Sequence, residues 1–228
     1  MTRTIFITGT DTGVGKTVVT ALLLEQLRDN GKTVRAVKPF CSGERTDALL
    51  LWELQEREVP VESVNPFYFE EPLAPWTAAR RAGKAISIEQ TVNFLHEAKP
   101  DDGVLLIEGA GGLLSPLGHG FDATHLIREV GAEVIIVAAN RLGVLNHVLL
   151  TVDALRSRDH KSIKLVLTDV GATEPATDSN PGDLRLLLKS VPLFRIPFIR
   201  RFEPTATCIR TSAEQLNDVL DEILAVPD

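Results

Sequence analysis

Residues 4–20, TIFITGTDTGVGKTVVT, constrain the fold more than any other stretch of this 228-residue chain. A short apolar run, Ile5-Phe6-Ile7, leads into a loop with glycines at Gly9, Gly13 and Gly15, and Lys16-Thr17 then opens an apolar helical pattern. Strand, glycine-rich loop and helix in that order make a phosphate-binding loop. Glycine allows positive φ and close backbone approach, so successive N–H groups converge on one cavity. The helix start adds its unpaired N–H groups and the positive end of its dipole. Lys16 supplies a charge for terminal phosphates, and the Thr17 hydroxyl is a ligand for Mg²⁺. The usual pattern G-x-x-x-x-G-K-[ST] has its first glycine where this chain has Thr10, with Gly9 just before it.

The totals bound the rest. A chain of this length fits one domain over residues 1–228 and buries a core without disulfides or structural metal. A net charge of −7 gives no footprint for nucleic acid or an anionic membrane, so phosphate binding has to come from a local site. Cys41 and Cys208 are far apart and in no metal-ligand spacing, which reads as free thiols in a reducing compartment. With no signal-like N-terminus and no long apolar run, the expected location is the cytoplasm.

Helical spacing over residues 18–27 ends at Asn30-Gly31, a C-cap signal. Strands are expected at 33–37, 104–107, 134–139, 164–167 and 193–196, and helices at 47–54, 88–98, 122–130, from Gly143 to about 156, 183–189 and 213–224. Residues 40–45 read as a polar connection, 171–182 as a Gly/Pro/Asp-rich loop, and 58–87 as a proline-punctuated excursion carrying Phe67, Tyr68, Phe69 and Trp76. That excursion is either a loop packed down by its aromatics or a wall of the substrate pocket. Strands alternate with helices and several are continuously apolar, as strands covered on both faces are. The expected architecture is α/β: a doubly wound, mostly parallel sheet with helices on both faces, of the phosphate-loop NTPase type.

In such sheets ligands sit beyond the carboxyl ends of the strands. Those ends carry residues 8–17, then Lys38 and Ser42, Glu108 with its glycines, Asn140 to Asn146, and Thr168-Asp169. A carboxylate directly after an apolar strand is where a nucleotide's Mg²⁺ is held, and Mg²⁺ takes one or two carboxylates, a hydroxyl and phosphate oxygens. Thr17, Asp47 and Glu108 meet that need, although an N-terminal Asp such as Asp47 also stabilises a helix for ordinary reasons. Lys38 is a second lysine facing the loop, which suits phosphoryl transfer to an anionic acceptor.

These stretches together resemble one family, the ATP-dependent dethiobiotin synthetases of biotin biosynthesis. The carrying blocks are TGTDTGVGKT (8–17), KPFCSG (38–43), TDALLL (46–51), NPFYFEEPLAP (65–75), IEGAGGLLSPL (107–117) and RLGVLNHVLLT (141–151). The resemblance implies a reaction in which a diamino carboxylic acid, 7,8-diaminononanoate, takes up CO₂ as a carbamate. ATP phosphorylates the carbamate, and the second amine closes a cyclic urea. Carried over by position, Lys38, Lys16 and Thr12 are the catalytic residues. Gly13, Val14, Gly15, Lys16, Thr17 and Val18, with Asp47 and Glu108-Gly109-Ala110-Gly111, bind the ATP phosphates. Thr168 and Asp169 lie against the adenine, with further contacts at 197–199. Thr12 and Ser42 meet the substrate, and Leu142, Gly143, Val144 and Asn146 bind its tail from the neighbouring subunit of a homodimer. Thr17, Asp47 and Glu108 hold Mg²⁺. The chain departs from the family at Gly13 (glutamate in better-known members), Thr168 (asparagine) and Trp76 (histidine).

A partitioning or signalling ATPase of the same broad class is the rival reading. Its loop resembles KGGVGKT with a signature lysine, where this chain has Asp11. An amidating enzyme would need a glutaminase domain, for which the chain has no room.

Overall fold

The computed structural model describes residues 2–171, 175–199 and 205–226. Among them a six-stranded sheet runs in the order β2-β5-β1-β6-β7-β8 with every pairing parallel. Its strands are β1 (Arg3–Gly9), β2 (Val34–Val37), β5 (Val104–Glu108), β6 (Glu133–Asn140), β7 (Ile163–Asp169) and β8 (Leu193–Ile196). A separate parallel pair joins β3 (Phe40–Ser42) to β4 (Phe67–Phe69).

Alternation along the strands divides the core between the two faces of the sheet. Phe6, Leu105, Ile107 and Ile136 face a layer built from α3 (Pro75–Arg81), α4 (Ile88–Ala98), α5 (Ala123–Val130), α6 (Val144–Arg156) and α7 (Pro175–Leu187). Ile5, Ile7, Leu106 and Ile135 face α1 (Lys16–Asp29), α2 (Thr46–Leu54), α8 (Ala206–Gln215) and α9 (Asn217–Leu224). Both faces are covered, which is why these strands read as unbroken apolar runs rather than alternating ones. From β1 the chain first crosses to β2 on one side, then later to β6 on the other. The loop after β1 therefore opens at the point where strand order reverses, the crevice that parallel sheets offer to ligands.

Four expectations are corrected. The connection at 40–45 contains β3, and the excursion at 58–87 contains β4 and α3, because residues 64–69 return alongside 38–42 and complete a small ladder. The segment 171–182, expected as a loop, is helical from Pro175 on despite Pro181 inside it. Tertiary bonds hold that turn, with Asn140 Nδ2 donating to Thr177 O at 2.9 Å and Asn180 Nδ2 to Asn140 Oδ1 at 2.9 Å. The expected helix over 213–224 is two helices meeting at Leu216, a bend that lets Ile209 and Ala213 as well as Leu220 and Ile223 reach the same apolar layer.

Candidate active site

The loop after β1 explains its displaced glycine. A Cβ on Gly9 would meet Asp11 O and Val14 Cγ2 at 2.8 Å and Lys16 Nζ at 3.0 Å, so the lysine folds back over a position only glycine can occupy. Thr10 needs no such freedom, since its N–H donates to Val137 O at 3.0 Å and prolongs the β1–β6 ladder. Gly15 caps α1 in the left-handed conformation (φ 95°), which aims the first N–H groups of the helix outward. Lys16 Nζ donates to Asp11 O at 2.9 Å.

Beside the loop lies a cavity of about 580 Å³ lined by Thr12, Gly13, Gly15, Lys16, Thr17 and Val18 and, from other elements, by Lys38, Ser42, Asp47, Glu108, Ala110 and Gly111. Residues separated by up to about a hundred positions thus share one rim. Its charged centre is Lys38, almost fully buried, whose Nζ contacts Glu108 Oε1 at 2.5 Å and Asp47 Oδ2 at 2.9 Å. Thr17 Oγ1 donates to the same Glu108 Oε1 at 2.7 Å. Burial alone would pull the Lys38 pKa down, but the Glu108 and Asp47 carboxylates outweigh it and raise it above the ordinary lysine value. Lys16 goes the other way. Burial, then repulsion from Lys38, lower it to about 8.

Glu108 Oε2 is buried and has no hydrogen-bond partner among the described residues. A buried carboxylate oxygen left unpaired is costly, and next to Thr17 Oγ1 and the half-exposed Asp47 it fits a hard cation that takes oxygen ligands. Among the described residues no group of three His, Cys, Asp or Glu could hold a metal alone. A Mg²⁺ ion there would complete its shell with phosphate oxygens and water, as this small ion commonly does.

A second pocket of about 320 Å³ adjoins the other side of the loop and is lined by Val14, Val18, Thr168, Asp169 and residues 196–199. Thr168 Oγ1 donates to Val14 O at 2.8 Å, so this hydroxyl braces the phosphate loop from β7. Asp169 is paired on both oxygens, accepting from Asn140 Nδ2 at 2.9 Å and Arg195 Nη2 at 2.8 Å.

Other expected site residues fall out differently. Gly109 is not on the cavity surface; its N–H donates to Ile7 O at 2.9 Å and it backs onto Phe6, fixing the turn that presents Ala110 and Gly111. Ser42 lines the cavity, but its Oγ donates to Leu73 O at 2.6 Å and so holds the 72–75 wall. That wall consists of Pro72, Leu73, Ala74 and Pro75 rather than aromatics. Phe67 stacks on Phe40 with centroids 5.0 Å apart, and Trp76 turns away to His119 and Arg80. Leu142 is 79% exposed, Val144 is buried in the core, and residues 142–146 do not line this cavity. Ser115, which also lines the cavity, escaped sequence reasoning because a serine in a loop carries no signal of its own.

Comparison with known proteins follows the same lines. A family profile described as an AAA domain matches residues 3–205. The ATP-dependent dethiobiotin synthetase BioD of Bacillus licheniformis is 34% identical over 206 residues, covering 88% of each chain. That of Anaeromyxobacter sp. (strain Fw109-5) is 38% identical over 203 residues, covering 87% of this chain and 91% of its own. Among solved structures, the MinD cell division protein of Aquifex aeolicus superposes with a TM-score of 0.61 at 18% identity, covering 99% of each chain. The septum site-determining protein MinD of Pyrococcus horikoshii, complexed with Mg-ADP, gives 0.58 at 19% identity over all of both chains. At that identity the structural likeness speaks for the fold alone. The sequence relatives say more, and with a third or more of the residues shared over nearly the whole length, the chain belongs to the family of ATP-dependent dethiobiotin synthetases.

Proposed function

We propose that this protein uses Mg-ATP to close a ureido ring on 7,8-diaminononanoate, producing dethiobiotin. The observation that carries the reading is the meeting of two lysines, two carboxylates and the Thr17 hydroxyl with the phosphate loop on a single cavity. One amine of the substrate adds to CO₂ and loses a proton, giving a carbamate. A carbamate oxygen attacks the γ-phosphorus, the bond to ADP breaks, and a carbamic–phosphoric anhydride remains. The second amine then attacks the carbamoyl carbon and phosphate leaves. Both lysines suit the middle step, where charge spreads over oxygens and fixed cations stabilise it without reorganisation.

Thr17, Asp47 and Glu108 are the residues that would hold Mg²⁺, whose chemistry here is neutralisation of the β- and γ-phosphate oxygens. Thr12 lines the cavity and is itself exposed, so it can meet the substrate amines. The pocket beside Thr168 has an apolar wall suited to a base, with the Thr168 hydroxyl committed to the loop rather than to the base edge. A homodimer belongs to this reading. Residues 142–146 are supported as the binders of the substrate carboxylate in a neighbouring protomer by their position at a helix N-terminus away from their own cavity, with Leu142, Gly143 and Asn146 exposed while Val144 is buried in the core.

The deciding assay supplies purified protein with 7,8-diaminononanoate, bicarbonate and Mg-ATP and follows dethiobiotin by mass together with phosphate release. Ring product with one phosphate per turnover is expected. Phosphate release that ignores the diamine, with no ring product, would refute the proposal.

A further inference from the structure

Lys38 and Asp47 meet at 2.9 Å, yet they lie at opposite ends of a segment that runs through β3 and a turn. Something outside that segment has to set their separation. We propose that Asn65 is the positioning residue that does so, an inference that rests on the catalytic reading of the cavity given above.

Asn65 is fully buried and does not line the cavity. Its Nδ2 donates to Lys38 O at 2.7 Å and to Pro39 O at 3.2 Å. On its other side, Oδ1 accepts from Arg45 Nε at 2.9 Å, and its backbone carbonyl accepts from Arg45 Nη2 at 2.8 Å. Arg45 is the residue immediately before α2, two positions before Asp47, and its guanidinium lies over the Tyr68 ring. One small side chain therefore grips the peptide that follows Lys38 and the arginine just before the helix of Asp47. Neighbouring bonds run the same way, with Lys38 N donating to Val64 O at 2.9 Å and Phe67 N to Pro39 O at 3.0 Å.

The chemistry of the two sides dictates the residue type. Lys38 O and Pro39 O only accept, whereas a guanidinium only donates. Position 65 must present donors to one side and an acceptor to the other within the reach of a single methylene, which is the description of an asparagine. Aspartate would keep the Arg45 contact and set a carboxylate against two carbonyls. Leucine would fill the space and serve neither side. Pro39 stiffens the arrangement further, since it holds its own φ and confines Lys38 to extended backbone. A rotation of the peptide after Lys38 would carry the ammonium away from Glu108 and Asp47 together.

The test uses Asn65→Leu, Asn65→Asp and Arg45→Met, the last leaving the Asn65 contacts to Lys38 in place. Free Mn²⁺ is followed by EPR in the presence of ADP, and kcat, the KM for ATP and thermal midpoints are measured beside it. Both Asn65 variants are expected to bind ADP without metal as the parent does. They should weaken Mn²⁺ binding about tenfold, the scale of losing an outer partner of a metal ligand. Their kcat should fall about 10²-fold with KM for ATP little changed, the scale of a small misplacement of reacting groups. Arg45→Met should lose less in the same direction, and combined with Asn65→Leu it should add nothing. Variants that melt earlier but keep parental Mn²⁺ affinity and kcat per folded molecule overturn the proposal, as does full additivity. If the Asn65 variants do not fold, unchanged Mn²⁺ binding and kcat in Arg45→Met overturn it as well. Mn²⁺–ADP binding needs no diamine, so a parent protein that makes no ring product would refute the proposed reaction and leave this test standing.

Discussion

Two buried lysines at opposite ends of the sheet show how differently the fold treats the same charge. Lys38, at the carboxyl ends, faces two side-chain carboxylates on a cavity wall, and one carboxylate oxygen beside it has no partner among the described residues. Lys164, near the start of β7, donates to Ile223 O at 2.6 Å and Ala225 O at 2.5 Å. Arg3 joins it there, contacting Leu224 O while pairing with Glu133, so two cations cap the C-terminal end of α9, where the helix dipole is negative. Burial, then Arg3, lower the Lys164 pKa, whereas at Lys38 the carboxylates overcome burial and raise it. Backbone carbonyls are neutral and cannot leave. Side-chain carboxylates beside a cavity can exchange a lysine for a metal ion. The lysine with exchangeable partners is the one expected to do chemistry.

The largest effect that would break this contrast is at Lys38. Lys38→Ala should lower kcat for ring closure about 10³-fold, the upper scale for removing one electrostatic stabiliser, while ADP binding persists. Loss of folding in place of loss of turnover would make Lys38 a structural lysine like Lys164.

Lys16 sharpens the contrast through pH. Its proton leaves near pH 8 in the nucleotide-free fold but near the ordinary 10.5 in the unfolded chain. Between those values the unfolded chain holds more protons, so rising pH favours the fold, and the penalty for burying the charge is full below pH 8. Lys16→Met should therefore raise the melting midpoint at pH 7 by about 5 °C. The gain should fade as pH climbs towards 10.5, and a gain independent of pH over that range would refute the account.

At the far end, Lys164→Met should cost stability rather than activity, about 1–3 kcal/mol for two carbonyls left without their donor. Denaturant unfolding measures the loss, and kcat per folded molecule should stay at the parental level. A fall in kcat would erase the distinction between the two ends. The smallest expected change is at the brace under the phosphate loop. Thr168→Val, which loses the bond to Val14 O, should destabilise by about 1 kcal/mol and weaken ADP binding only slightly. A loss of adenine-nucleotide affinity well beyond that would give Thr168 a role in holding the base.

Much of the fold was legible because the sheet is covered on both faces, so β1, β5 and β6 announce themselves as apolar runs, and α4 matches its expected span of 88–98 at both ends. The ladder of β3 with β4 was not legible. Each strand is three residues long, and neither pairs until residues 64–69 come back beside 38–42. At the site, the positions of Lys38, Asp47 and Glu108 could be read from their places after strands and at a helix start. Asn65 could not be assigned a task, although it stands in one of the blocks that carry the family resemblance, because its partners lie 20 to 27 positions away. The sequence leaves open whether Trp76 packs its loop down or walls the pocket; the cavity is walled by Pro72, Leu73, Ala74 and Pro75 just before it, and Trp76 packs against His119 and Arg80.

By itself, then, the sequence determined the phosphate loop, the alternation of strand and helix, and the family, since these rest on local spacing and on apolar pattern. The tertiary structure alone decided which charges meet. Lys38, Asp47 and Glu108 come from three elements whose approach depends on strand order and on packing around Asn65, and no local pattern encodes a 2.9 Å contact between them. It also decided that Gly9 rather than Thr10 takes the glycine's place, because only the folded loop lays the Lys16 ammonium across that one residue.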